Sequence, residues 1–240
     1  MPEEAGYGAG ARAPLNRERV VRAAVTLADE HGIEALTMRR LGSALGVEAM
    51  SLYNHIRNKE DLLDGMVDYV FSRITLPQPG QDWREGLRVR SLSAREVLGK
   101  HRWAVTLMDS RRSPGAARLR HDEAVLGGLR EGGFSVSTTA RALVLLDSFV
   151  YGFALTEASL EDVDTARAAE LSNAVLEELS PASFPHLFAF YSEPVIKDGY
   201  DFRLEFEPSL NLILGGLEKI QDETAVNGHA PPDVSSTDTH

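Results

Sequence analysis

The 240-residue chain contains no cysteine. That excludes a disulfide framework, thiolate metal sites and a cysteine nucleophile, and it fits a reducing, cytoplasmic setting. Apolar runs are short. None reads as the roughly 18–20 residues needed to span a bilayer, so no membrane partner is expected. The opening MPEEAGYGAG is acidic and glycine-rich, without the apolar core of a secretory signal. Catalytic signatures are missing as well: no HExxH, no glycine-rich phosphate loop, no GxSxG, and no paired Glu-x-x-His of a di-iron bundle. These absences point away from an enzyme, a cofactor and a metal site.

The chain is acidic, with a net charge of −11, which taken alone argues against a nucleic-acid partner. The distribution says otherwise. Residues 1–60 hold 8 Lys/Arg and 8 Asp/Glu, so the acidic excess lies entirely beyond them. The hydrophobic fraction of 43% is enough for a buried core.

Residues 1–13 read as a disordered arm and 223–240 as a disordered tail. Helical spacing dominates between them, so the fold class is all-α. Val20, Ala24, Leu27 and Ala28 share one face of a first helix that Asn16 caps and Gly32 ends. Thr37 caps a second short helix, Leu45-Gly46-Val47 forms a tight turn, and a third helix covers Glu48 to Tyr53. Asn58 caps a fourth, and Asp61 favours its first turn. The Leu76–Gly80 segment, LPQPG, is the clearest boundary. It divides an N-terminal domain at 14–75 from a C-terminal domain at 76–222. Beyond it, Asp82 caps one helix and Ser113-Pro114 opens another. Ser137 caps a long, nearly all-apolar helix, a weaker helix follows over about Thr165 to Leu179, and Glu207-Pro208 opens the last. Only Asp201–Phe206 alternates like a strand.

The second helix, turn and third helix have the layout of a helix-turn-helix, whose last helix enters the DNA major groove. Leu41, Leu45, Val47, Leu52 and Ile56 supply its small core. Ala49, Met50 and Ser51 are short enough to let the helix sit close to base edges. Thr37, Arg40, Tyr53, His55 and Lys59 are suited to phosphates, Lys59 at a helix start where free N–H groups also attract anions.

The stretch from Leu15 to Val70, above all GVEAMSLYNHIRNKEDLL, resembles the DNA-binding domain of the TetR family. YGFALTEASL and DFRLEFEPSLNLILGGLE resemble the C-terminal domain of its tetracycline-repressor branch. The resemblance implies a transcriptional repressor with an N-terminal three-helix helix-turn-helix domain and a C-terminal helical domain for ligand binding and dimerisation. It implies a homodimer on palindromic operator DNA and a small-molecule effector. Arg39 matches a position that reads guanine, Ala49, Met50 and Ser51 match base-reading positions, and Thr37, Tyr53, His55 and Lys59 match phosphate contacts. Ala49, Met50 and Asn54 depart from the tetracycline repressor's residues, so a different operator is expected. No histidine stands in register to grip a metal-chelated drug, so a different ligand is expected too.

Candidate cavity residues are Trp83, Leu87, Trp103, Met108, Phe149 and Phe153. Candidate dimer-interface residues are Val150, Ala154, Leu210, Ile213, Leu214 and Leu217, from the two apolar helices. The His121-Asp122-Glu123 triplet is expected on a solvated face, because neighbours on a helix point in different directions. Arg111-Arg112 reads as loop charge, and Glu157, Glu161, Asp162 and Asp164 as a solvated loop edge. Two other functions share these features: an enzyme on a helical scaffold, and a DNA-binding adaptor or activator without a ligand.

Overall fold

Helix starts in this chain are set by side chains that accept the first free backbone N–H groups. Asn16 accepts from Arg19 N at 2.8 Å and opens α1 (Arg17–His31), which ends at Gly32 with φ 79°. Thr37 accepts from Arg40 N at 3.2 Å and opens α2 (Met38–Leu45). A short α3 (Ala49–Leu52) follows, and Asn58 accepts from Asp61 N at 2.8 Å to open α4 (Lys59–Phe71). Asp82 starts α5 (Trp83–Lys100) in the same way. The chain continues through α6 (Trp103–Met108), α7 (Ala116–Glu131), α8 (Val136–Ser159), α9 (Thr165–Glu178), α10 (Pro185–Ser192), α11 (Pro194–Lys197) and α12 (Phe206–Asn227). The computed structural model describes residues 14–108, 115–160 and 163–227, and among the described residues there is no strand. The arm at 1–13, Arg111-Arg112, Ser113-Pro114 and Glu161-Asp162 lie outside the described residues.

Four expectations are corrected. Ser135, not Ser137, caps α8, accepting from Thr138 N at 3.1 Å. Asp201–Phe206 does not extend. Asp201 caps a 3₁₀ turn at Phe202–Glu205 that runs into α12 at Phe206, since a lone strand has no neighbour to satisfy its backbone. Helix α12 also runs to Asn227, past the expected start of the tail at 223. Finally, α8, at 24 residues, is long and apolar enough by length and composition to cross a membrane. One face of it packs on α5, α7 and α12, where its Asp147 pairs with the buried Arg90 of α5.

Helices α1–α4 enclose one apolar cluster, with Val20, Leu41, Leu52 and Leu62 fully buried. Helices α5, α7, α8 and α12 enclose a second, joined to the first through α4, which also packs on α6 and α7. Helices α9 and α10 bury no residue. Phe184, Leu187 and Phe190 beside them are about half exposed.

Candidate DNA-binding face and effector cavity

The helix-turn-helix is held by two glycines. Gly46 adopts a left-handed conformation (φ 69°, ψ 36°), which costs a side-chain-bearing residue energy. Gly42, whose role local spacing does not signal, lies against the following turn. A Cβ there would meet the Val47 carbonyl oxygen at 2.9 Å and Ala49 N at 3.2 Å. This close packing, with Leu45, Leu52 and Ile56 buried beneath, fixes α3 against α2.

The outward face carries the expected set. Arg39, Arg40, Thr37, Tyr53, Asn54 and Lys59 are exposed, and Ala49, Ser51 and His55 are half-buried around them. Met50 stands 75% exposed at the tip of α3. At that exposure it adds little to the core. The Thr37 hydroxyl oxygen caps α2.

Asp61 does more than favour a helix start. Its carboxylate receives Arg17 Nη1 at 2.7 Å and Nη2 at 3.0 Å, and Arg57 N at 2.8 Å. The Arg17 guanidinium holds the Asp61 carboxyl down at about 2. This pair ties the first turn of α4 to α1.

The other end of α4 walls a cavity of about 680 Å³ between α4, α6, α7 and α8. Val67, Phe71, Val105, Met108, Leu143 and Leu155 give it apolar walls, and Asp64, Asp68, Arg118, Asp122, Asp147 and Tyr151 its polar ones. Asp68 Oδ1 accepts from Ala117 N at 2.7 Å and Arg118 N at 3.1 Å, so a side chain of α4 caps the N-terminus of α7. Gly115 permits this: a Cβ there would lie 2.2 Å from the same oxygen. The Arg118 guanidinium lies 4.7 Å over the Phe71 ring and donates to Asp122 at 2.9 Å.

Behind the cavity Arg90 is fully buried. It donates from Nε to His121 Nε2 at 3.0 Å and from Nη2 to Asp147. His121 is therefore not on a solvated face. It is fully buried, its Nε2 accepts, and its Nδ1 faces Asp122 at 3.3 Å. Burial, then the Arg90 charge, push its pKa down to about 4, so the ring is neutral.

Of the six expected cavity residues only Met108 lines the cavity. Trp83 stacks edge-on against Phe134 at 4.8 Å, and Leu87 is buried. Trp103 is buried and donates from Nε1 to Asp29 of α1 at 2.7 Å, where His101 Nδ1 also meets the carboxylate at 2.9 Å. Phe149 and Phe153 pack with Phe202 and Phe206 in a separate aromatic cluster. Large aromatic size marks core here. The expected interface residues turn inward as well. Val150, Ala154, Leu210, Leu214 and Leu217 are buried within the chain itself, which leaves them no surface for a partner, and Ile213 is half-buried. The same two helices turn outward Val144, Leu145 and Leu212, at 67%, 46% and 79% exposure. In the acidic cluster, Glu157 pairs with Arg95 at 2.7 Å and Asp164 caps α9.

An exposed helix-turn-helix whose supporting helix also walls a half-open cavity is the layout of a one-component DNA-binding regulator. Comparison with known proteins agrees. Residues 20–66 match the family described as bacterial regulatory proteins, tetR family, and residues 76–221 match the tetracyclin repressor-like C-terminal domain. The class C tetracycline repressor protein of Escherichia coli is 32% identical over 86% of this chain and 92% of its own length. An HTH-type transcriptional regulator of Saccharopolyspora erythraea is 30% identical over 85% of this chain and 84% of its own. The crystal structure of the TetR family protein ActR of Streptomyces coelicolor in complex with actinorhodin superposes with a TM-score of 0.76, at 30% identity, covering 87% of this chain and 99% of that one. The chain belongs to the TetR family of transcriptional regulators.

Proposed function

We propose that this chain is a homodimeric repressor that reads a palindromic operator and releases it when a small molecule fills the cavity between α4, α6, α7 and α8. One observation carries this: a single helix serves both ends. Asp61 ties α4 to the DNA-binding domain, and seven residues on, Asp68 caps α7 at the cavity wall. At 1.5 Å per residue those anchors are about 10 Å apart along one rigid rod. A ligand that binds better when the α4–α7 wall is displaced shifts the orientation of the helix-turn-helix, and linkage then makes DNA and ligand mutually exclusive.

In this reading Arg39 pairs with guanine, and Ala49, Met50 and Ser51 read neighbouring bases. Thr37, Arg40, Tyr53, Asn54, His55 and Lys59 hold phosphates. Two such faces about 34–36 Å apart require a dimer. Support for it comes from the outward apolar faces of α8 and α12 and from α9–α10, which leave large apolar side chains uncovered. The complex of ActR with actinorhodin supports a small-molecule effector.

Fluorescence anisotropy with duplexes tiled across the DNA upstream of the chain's own gene tests the proposal. One duplex is expected to bind with steep salt dependence. Equal binding to a scrambled duplex at physiological salt, or no binding to any duplex even at low salt, would overturn it.

A further inference from the structure

We propose that Met50 sets part of the operator sequence by packing against the C5 methyl group of a thymine in each half-site. This rests on the reading of α3 as the helix that enters the major groove, and it names what that helix recognises there. Of the four residues of α3, Met50 alone is exposed. Ala49 and Ser51 are short and half-buried on either side of it, and Leu52 is fully buried beneath.

The helix is held in that orientation. A Cβ on Gly42 of α2 would lie 2.9 Å from the Val47 carbonyl oxygen and 3.3 Å from Ala49 Cα, so α3 sits on α2 at backbone distance. With Leu52 anchored in the core, α3 cannot roll to present another residue. Whatever surface this face docks on meets the Met50 side chain first.

What Met50 can recognise follows from its chemistry. Residues 46–52, GVEAMSL, hold no Arg, Lys, Asn or Gln, the side chains that pair with two atoms of a guanine or adenine edge. The Ser51 hydroxyl serves any base. A thioether donates no hydrogen bond, so Met50 holds no phosphate. The exposed Glu48 carboxylate two residues before it repels the backbone as well. Among base-edge groups in the major groove, the thymine C5 methyl is the one that gains from apolar contact. Methionine is unbranched and polarisable, and it adapts its shape to such a group. Hydrogen-bonded readout falls to the exposed Arg39 of α2, whose fork suits guanine. The half-site therefore combines a G·C pair read from α2 with an A·T pair read from α3.

Uracil lacks only the methyl of thymine, and that difference tests the proposal. The full chain would select a duplex from a randomised pool, and the thymines of that duplex would be replaced by uracil one symmetric pair at a time. Fluorescence anisotropy would then follow binding by the wild-type chain and by Met50→Ala. One pair is expected to be sensitive. Losing its methyls should weaken wild-type binding about fourfold for each, and leave Met50→Ala binding unchanged. At the same pair, 5-methylcytosine opposite guanine should bind the wild type more tightly than cytosine opposite guanine, while Met50→Ala should not distinguish them. That arm separates the methyl from the shape of an A·T pair. Absence of a uracil-sensitive thymine, or equal sensitivity in both proteins, overturns the methyl proposal and leaves α3 standing as the reading helix. Enrichment of no duplex from the pool overturns both.

Discussion

The two ends of α4 are held by the same residue type in opposite circumstances. At the DNA-binding end, Asp61 meets two arginines and a backbone N–H, and Leu62, Leu63 and Met66 beside it in the chain are buried. At the cavity end, Asp68 caps a neighbouring helix at the edge of about 680 Å³ of open space. The first end is a finished joint. The second is an unfinished one, and an unfinished joint is where a ligand has free energy to contribute. In the proposed function that difference makes the first end a rigid reader and the second the place where a ligand acts.

The largest expected effect breaks the effector half alone. Arg90→Met leaves the buried His121 without its donor and Asp147 with only Arg118 at 3.6 Å, and removing one partner of a buried charge pair costs about 3–5 kcal/mol. Urea unfolding should show the loss, with hydrogen exchange rising in α5, α7 and α8 and little changed in α1–α3. Uniform loosening would mean the two halves are not separable.

Acid should divide the halves next. His121 has a folded pKa of about 4, below the ordinary 6.5, so between those values the unfolded chain binds a proton that the folded chain does not. Stability from this group is complete above about pH 6.5 and falls as pH drops to about 4. Asp61, held at about 2 against an ordinary 3.8, contributes fully above about pH 4 and is lost only as pH falls through about 2. Hydrogen exchange at pH 5 should find the effector half weakened and α1–α4 intact. His121→Gln should flatten the effector-half dependence between 6.5 and 4.

Asp61→Asn should cost about 2 kcal/mol, because the Arg17 pair is charge-assisted on both sides but Arg17 is half exposed. The loss should fall on the DNA-binding half and weaken operator binding, with hydrogen exchange in α7 and α8 unchanged. Faster exchange there as well would show that the anchors act as one.

How much of each half is legible in the sequence follows the same division. The caps Asn16, Thr37, Asn58 and Asp82 lie three residues from the groups they bind, so local pattern finds them. Gly46 and the buried Leu52 and Ile56 are equally local. The cavity is not. It joins Asp64 to Leu155 across four helices, and its key residues look ordinary alone. Tyr151 sits in an apolar run. His121 sits in a polar triplet, and only Arg90, 31 residues earlier, explains its burial. Residues chosen by aromatic size, Trp83, Phe149 and Phe153, belong to the core because large apolar groups are what cores bury.

The smallest effects separate roles within the reading face. Arg39→Ala removes an exposed fork without touching the core, so stability should hold within about 0.5 kcal/mol. Operator affinity should fall by about 1–3 kcal/mol, with the preference relaxed at one base pair only. Lys59→Ala should behave differently. Lys59 is exposed at the N-terminus of α4, where a phosphate would meet both the ammonium and the free N–H groups, and Asn58 keeps that end capped after the substitution. A phosphate contact carries no sequence information, so every duplex should lose the same factor, and the slope of log affinity against log salt should fall by about one. In a chain of net charge −11, each such cation counts against a background that repels DNA. A sequence-dependent loss in Lys59→Ala would place Lys59 at the bases and redraw the face. A uniform loss in Arg39→Ala would move Arg39 to the backbone and leave base reading to α3 alone.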